Sequence, residues 1–158
     1  MGFHNMTSAG RLFAALAIML ALTASRVAAQ SKPGTAPANT PAFAGRSWQL
    51  VKFQFGDGTT LTPDDRTKYT IQFVTGGRLT AQLDCNRGRG SWKSSGPNQV
   101  QFGPLALTRA MCPAGSLHDQ IVKQWNYIRS YVMKDGHLFL SLMADGGIYE
   151  FEPQVSGP

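Results

Sequence analysis

Arg129-Ser130-Tyr131-Val132-Met133-Lys134-Asp135-Gly136-His137-Leu138-Phe139-Leu140-Ser141-Leu142 decides the fold. Asp135-Gly136 tolerates the positive φ angles of a two-residue type I′ turn, the connection that suits the twist of paired strands. Leu138, Leu140 and Leu142 recur every second residue, which turns all three to one face of a strand. The stretch therefore reads as a β-hairpin with one face toward a core. Downstream, Asp145-Gly146-Gly147 turns into a last strand, Ile148 to Glu152, with Tyr149 and Phe151 on one face and Glu150 and Glu152 on the other.

Upstream, Leu117, Ile121, Trp125 and Ile128 recur at helical spacing. This predicts one helix from an N-cap at Ser116, with Asp119 in its first turn, to about Tyr127. Earlier still, strand patterns return. Trp48 to Phe55 ends at Asp57-Gly58. Tyr69 to Thr75 alternates through Ile71 and Phe73, Gly76-Gly77 fits a hairpin turn, and Arg78 to Asp84 resumes with Leu79, Ala81 and Leu83. Gly90–Ser94 and Gln99–Phe102 form a further hairpin around Gly96-Pro97-Asn98. The expected fold is mostly β: a strongly curved antiparallel sheet or barrel-like domain of about eight strands with one helix packed against it.

The N-terminus has a different character. Leu12 to Leu22 is an unbroken run of 11 apolar residues after a weakly basic start with His4 and Arg11, and Val27-Ala28-Ala29 supplies small residues for cleavage before Gln30. Residues 1–29 thus read as a secretory signal peptide. The run is shorter than the roughly 20 residues of a membrane span, so the mature chain is expected not to span a membrane. Residues 30–44, rich in Pro, Ala and Thr, read as a flexible linker. Residues 45–153 read as one domain and 154–158 as a tail.

Cleavage removes Arg11 and Arg26 from the 15 basic residues, leaving 13 against 9 acidic residues and a net charge of +4. A balance of this size reports solubility and mild attraction to anionic surfaces. It does not argue for nucleic acid, which an exported protein rarely meets. The expected compartment is the periplasm or the exterior of a bacterium.

Cys85 and Cys112 are the two cysteines of the chain. Export favours a disulfide between them. It would close a loop of about 28 residues, for which chain entropy gives roughly 3–4 kcal/mol. A bridge requires Cα atoms about 4.4–6.8 Å apart, a condition on the fold. The competing reading is a thiol enzyme, which needs a thiolate beside a base. His118 and His137 are the histidines of the mature chain, and both read as surface residues. A zinc site is disfavoured, because Cys112-x5-His118 with a distant His137 is not a zinc spacing. No metal, cofactor or catalytic residue is expected.

Arg87, Arg89, Trp92 and Lys93 cluster in sequence and suggest a contact for an anion or glycan. The alternative is a solvated hairpin with Trp92 in the core. Asn86 reads as satisfying local backbone groups in a turn. Asp64-Asp65, Asp57, Glu150 and Glu152 show no spacing for acid–base work.

Trp48-x-Leu50, Asp84-Cys85-Asn86-Arg87, Gly90-Ser91-Trp92, Phe102-Gly103-Pro104-Leu105 and Thr108-Arg109-Ala110-Met111-Cys112 occur in this order, followed by the helix and the leucine-rich hairpin. Together they closely resemble the META domain family, which includes the HslJ-type heat-shock proteins of the bacterial envelope. The resemblance covers about residues 46–152. It marks Trp48, Asn86, Arg87, Gly90, Leu105, Thr108 and Met111 as family motif positions. It implies a compact β fold with a helix, and a link to stress response and drug tolerance. It carries no catalytic residue. Many members have a small residue where this chain has Asp84.

The expected role is that of a monomeric, non-enzymatic stress-tolerance protein that binds another envelope protein or an anionic envelope component. Two others are weighed beside it: an inhibitor of a secreted protease or lysozyme, and a carrier of a small apolar ligand inside a barrel.

Overall fold

The structure, a computed structural model, describes residues 40–155. The expected signal peptide and most of the expected linker lie outside the described residues. Ten strands follow in order: β1 (Ser47–Gln54), β2 (Thr60–Leu61), β3 (Tyr69–Val74), β4 (Arg78–Leu83), β5 (Asn86–Lys93), β6 (Gln101–Phe102), β7 (Ala106–Leu107), β8 (Ile128–Lys134), β9 (His137–Leu142) and β10 (Ile148–Pro153). Helix α1 (His118–Gln124) continues into a 3-10 turn, Trp125–Tyr127.

Eight strands form one antiparallel path in the order β6-β5-β4-β3-β1-β10-β9-β8, with β2 paired to β1 and β7 to β5. The two ends of the path meet. The Val100 N–H donates to Arg129 O at 3.1 Å, and the Tyr131 N–H donates to Asn98 O at 2.9 Å. These bonds leave a nearly closed barrel and cover what would otherwise be open sheet edges.

The expected hairpins are present because their turn residues adopt the required backbone. Gly76 and Gly77 have φ of 83° and 79°, and Asp135 and Gly136 have φ of 52° and 80°. Alternation then delivers Leu50, Phe73, Leu138 and Leu140 to the interior, where all four are fully buried. Ile121 and Trp125 of the helical segment join this core, and the Trp125 indole N–H donates to Gly103 O at 3.0 Å. The helix is shorter than its apolar spacing suggested. Leu117 takes the N-cap position, while the Ser116 hydroxyl still accepts from the His118 N–H at 3.2 Å.

Two boundaries differ from those expected. Phe43, placed in the linker, is 0% exposed. Its ring lies 4.6 Å from that of Phe73 and 4.7 Å from that of Tyr131, and its carbonyl accepts from the Trp48 indole N–H at 3.1 Å. A single aromatic residue in a Pro/Ala/Thr stretch has no periodic signature, yet its burial extends the folded unit upstream. At the other end, Gln154 was placed in the tail, but its N–H donates to Ser47 O at 2.9 Å.

Candidate functional site

The turn between β4 and β5 is made by Asp84 and Cys85, with Leu83 and Asn86 paired across it. Asp84 takes a φ of 54°, a left-handed conformation that Asp tolerates better than most residues. The turn brings Cys85 to a disulfide with Cys112, at a Cα separation of 5.4 Å. The bonded sulfurs are no nucleophile and no metal ligand.

Asn86 differs from its expected part. It is 0% exposed at the start of β5, and apart from the adjacent Cys85 Sγ, 3.4 Å from its amide nitrogen, its partners are remote. Its amide nitrogen donates to Ala110 O at 2.9 Å, and its amide oxygen accepts from the Ala110 N–H and the Thr108 hydroxyl, each at 2.8 Å. The Thr108 hydroxyl accepts in turn from the Arg87 N–H at 3.0 Å. Asn86, Thr108 and the disulfide therefore fasten the chain between β7 and α1 onto the β4–β5 corner. Buried polar groups are tolerated when their bonding capacity is filled, as it is here.

Strand β5 then alternates. Asn86, Gly88, Gly90 and Trp92 face inward; Arg87, Arg89, Ser91 and Lys93 face out. This divides the four-residue cluster expected from the sequence. Trp92 packs on Phe43 and Phe73 and donates its indole N–H to Arg78 O at 3.0 Å, so it takes no part in an outer contact. Gly88 and Gly90 are small because β7 and the residues before it lie against them. A Cβ on Gly88 would stand 3.1 Å from Ala106 O, and one on Gly90 would stand 3.1 Å from Pro104 O.

Two cross-strand rows run over the outer face from β5 to β1. One is Arg89, Thr80, Gln72, Ser47; the other is Arg87, Gln82, Thr70, Gln49. Each has an arginine at the β5 end and only hydroxyls and amides from there to β1, where Gln49 donates to Glu152 of β10 at 2.7 Å. Together with Thr108 and Leu107 of the fastened segment, and Gln154, most of these residues line an open trough of about 670 Å³. Among the described residues, Arg87, Arg89 and Lys93 form no ion pair. On the next part of the sheet, Lys52 and His137 meet Glu150, and Arg66 meets Glu152, at 3.3, 2.8 and 3.0 Å.

The other candidates have local duties. Asp65 accepts from the Thr67 N–H and hydroxyl, which hold its carboxyl below the usual range, and Asp57 is held down in the same way by Thr59. Asp64 pairs with Lys68 at 3.2 Å. His118 meets Asp119 at 2.8 Å, and its Nε2 is buried without a partner. Trp48 is buried and Leu105 packs on the core. Met111 is 98% exposed beside Cys112. Sequence reading missed the trough, whose floor is assembled from four strands that only pairing brings together. No described helix is long and apolar enough to cross a membrane.

Comparison with known proteins matches the META domain over residues 41–156. Among solved structures, a protein from Burkholderia xenovorans determined by NMR is 21% identical, with a TM-score of 0.60 over 79% of this chain and 99% of that one. The crystal structure of a duf4847 family protein from Bacteroides vulgatus is 17% identical, with a TM-score of 0.52 over 73% of this chain and 97% of that one. These two likenesses establish the fold. No curated protein matches the chain.

Proposed function

The chain belongs to the META domain family, and from that premise we propose that it is an exported, non-enzymatic envelope protein that serves stress tolerance by binding an anionic envelope component. The observation that carries this reading is the outer face of β5, where Arg87, Arg89 and Lys93 stand exposed and make no ion pair with any described residue. An unpaired cation keeps its full capacity for charge-assisted bonds to an incoming oxyanion, and arginine offers a planar fork to carboxylate or phosphate. Attraction through such a surface is screened by salt.

The test is retention of the mature protein on isolated envelope fragments at low and high salt. The wild type is retained at low salt and released at high salt. The triple variant Arg87→Gln, Arg89→Gln, Lys93→Gln is not retained, although it melts at the same temperature. Equal retention of the two proteins sinks the reading. For the stress role, the wild-type gene restores heat and antibiotic survival to a deletion strain, and the triple variant does not.

One observation favours a hydrolase inhibitor as a second reading. Arg109 and Met111 project from a segment held at Ala110 by Asn86 and at Cys112 by the disulfide. A loop fixed on both sides loses little entropy on binding. Capture of a protease or lysozyme by the wild type, but not by Met111→Asp, supports it. The carrier reading has less support, because large side chains such as Trp48, Tyr69, Phe73 and Tyr149 occupy the interior.

A further inference from the structure

We propose that the trough beside Arg87 and Arg89 is a binding site for an acidic glycan, a chain that carries oxyanions and sugar hydroxyls together. The inference rests on the anion-binding reading above and narrows it from charge alone to a ligand class.

Charge alone accounts for only one end of the site. Arg87 and Arg89 stand two residues apart on β5, so their Cα atoms are about 7 Å apart along the strand. From each, the cross-strand row leads away over groups that are neutral and able both to donate and to accept. The Arg89 row continues through Thr80, Gln72 and Ser47, and the Arg87 row through Gln82 and Thr70. Thr108 and Gln154 add a hydroxyl and an amide at the margins. Of these side chains, Thr80 and Gln72 bond to each other, at a long 3.3 Å. Thr108 is committed to Asn86. The remaining amides and hydroxyls of the floor face outward with bonding capacity for a ligand.

A bare polyanion would use the two arginines and leave this floor in water. An acidic peptide would offer carboxylates on mobile side chains with few hydroxyls. A sugar chain with acidic groups matches both parts, because its oxyanions meet the guanidinium forks while its hydroxyls pair with amides and with Ser and Thr. Size agrees. The trough lies within the range of about 300–1,000 Å³ usual for small-ligand sites. It crosses four strands, about 14 Å of sheet at the usual interstrand spacing, a span for linked sugars rather than a single small ion. Its lining is mixed: Ala81, Ala106 and Leu107 add apolar surface beside the amides and hydroxyls, against which the C–H faces of sugar rings can rest.

Calorimetric titration of the mature protein with three probes tests this. They are tetragalacturonate, which carries carboxylates and hydroxyls; tetraglutamate, which carries carboxylates without hydroxyls; and maltotetraose, which carries hydroxyls without charge. The expected order puts tetragalacturonate at least about tenfold tighter than either, because maltotetraose lacks the oxyanions that the arginines bind and tetraglutamate lacks the several hydroxyls that the floor binds; tenfold corresponds to about 1.4 kcal/mol. Thr80→Val keeps a β-branched residue and removes one hydroxyl. It weakens tetragalacturonate several-fold and leaves tetraglutamate unchanged. Arg87→Gln with Arg89→Gln weakens both acidic probes.

Equal binding of tetraglutamate and tetragalacturonate overturns the glycan assignment while the anion-binding reading stands, with an acidic peptide as the better partner. Maltotetraose binding as tightly as tetragalacturonate overturns both, as does binding of no probe.

Discussion

The two faces of strand β5 differ in how their polar groups are used. Facing inward, Asn86, Gly88, Gly90 and Trp92 are committed to the fold: an amide with every partner inside the chain, two glycines under close-packed backbone, and an indole bonded to Arg78 O. Facing out, Arg87, Arg89 and Lys93 have no ion-pair partner among the described residues and line or border an open surface. Adjacent residues, one step apart in sequence, thus have separate consequences. Inward substitutions should change stability, and outward substitutions should change binding.

The largest effect tests the corner on which the inward face depends. Replacing Cys85 and Cys112 together by Ser releases a loop with a sequence separation of 27 residues. Chain entropy sets the expected loss at roughly 3–4 kcal/mol, a large part of the roughly 5–15 kcal/mol typical of a domain. Denaturant unfolding with and without reductant checks it. The wild type under reductant should approach the double variant, and a loss below about 1 kcal/mol would mean that the Asn86 bonds alone hold the corner.

Asn86→Ala is next. It removes the partner of the Ala110 N–H, the Ala110 carbonyl and the Thr108 hydroxyl. A loss of about 2–3 kcal/mol is expected, moderated by water reaching the exposed Ala110. Asn86→Asp keeps the acceptor and loses the donor, so it should fall between. Thermal melting of the three proteins orders them, and an Asn86→Ala protein as stable as the wild type would erase the contrast between the two faces.

Arg87→Gln with Arg89→Gln is the outward counterpart. Its stability should stay within about 0.5 kcal/mol of wild type, because neither side chain makes an ion pair that the substitution could break. A marked fall in stability would show that the outer face also serves the fold.

The legible parts of this molecule were those written locally. Asp135-Gly136 and Gly76-Gly77 state their turn type in two residues, and the flanking alternation states which side chains go inward. Strand β7 pairs through only two residues, and the barrel closes through Asn98–Val100 against Arg129–Tyr131. Neither carries a period that sequence could display. The same distinction governs the site. The basic residues of β5 were visible as a cluster, but period 2 removes Trp92 from it, a consequence of strand geometry already implicit in the alternation. Asn86 looked local because its bonds to Thr108 and Ala110 cross more than 20 residues. Asn followed downstream by Thr and Cys becomes informative only once the cysteines are joined.

A small effect, and one that depends on pH, lies on the neighbouring sheet face, where cations are already paired. Glu152 accepts from the Gln49 amide at 2.7 Å and from Arg66 at 3.0 Å, and these contacts, Gln49 first, hold its carboxyl below the ordinary value of 4.5. A carboxyl depressed in the folded state stabilises the fold above its unfolded pKa and loses that contribution as pH falls through the folded value. Wild type should therefore exceed Glu152→Gln in stability at pH 7 by no more than about 1 kcal/mol, as for exposed pairs generally. The difference should shrink below pH 4.5 and under high salt. If Glu152→Gln instead gained salt-sensitive attraction for anionic probes, Arg66 would have been released from its partner. The paired face would then differ from β5 only in having a carboxylate of its own, which makes the missing acids of the Arg87–Arg89 rows the feature that leaves that face open to a ligand.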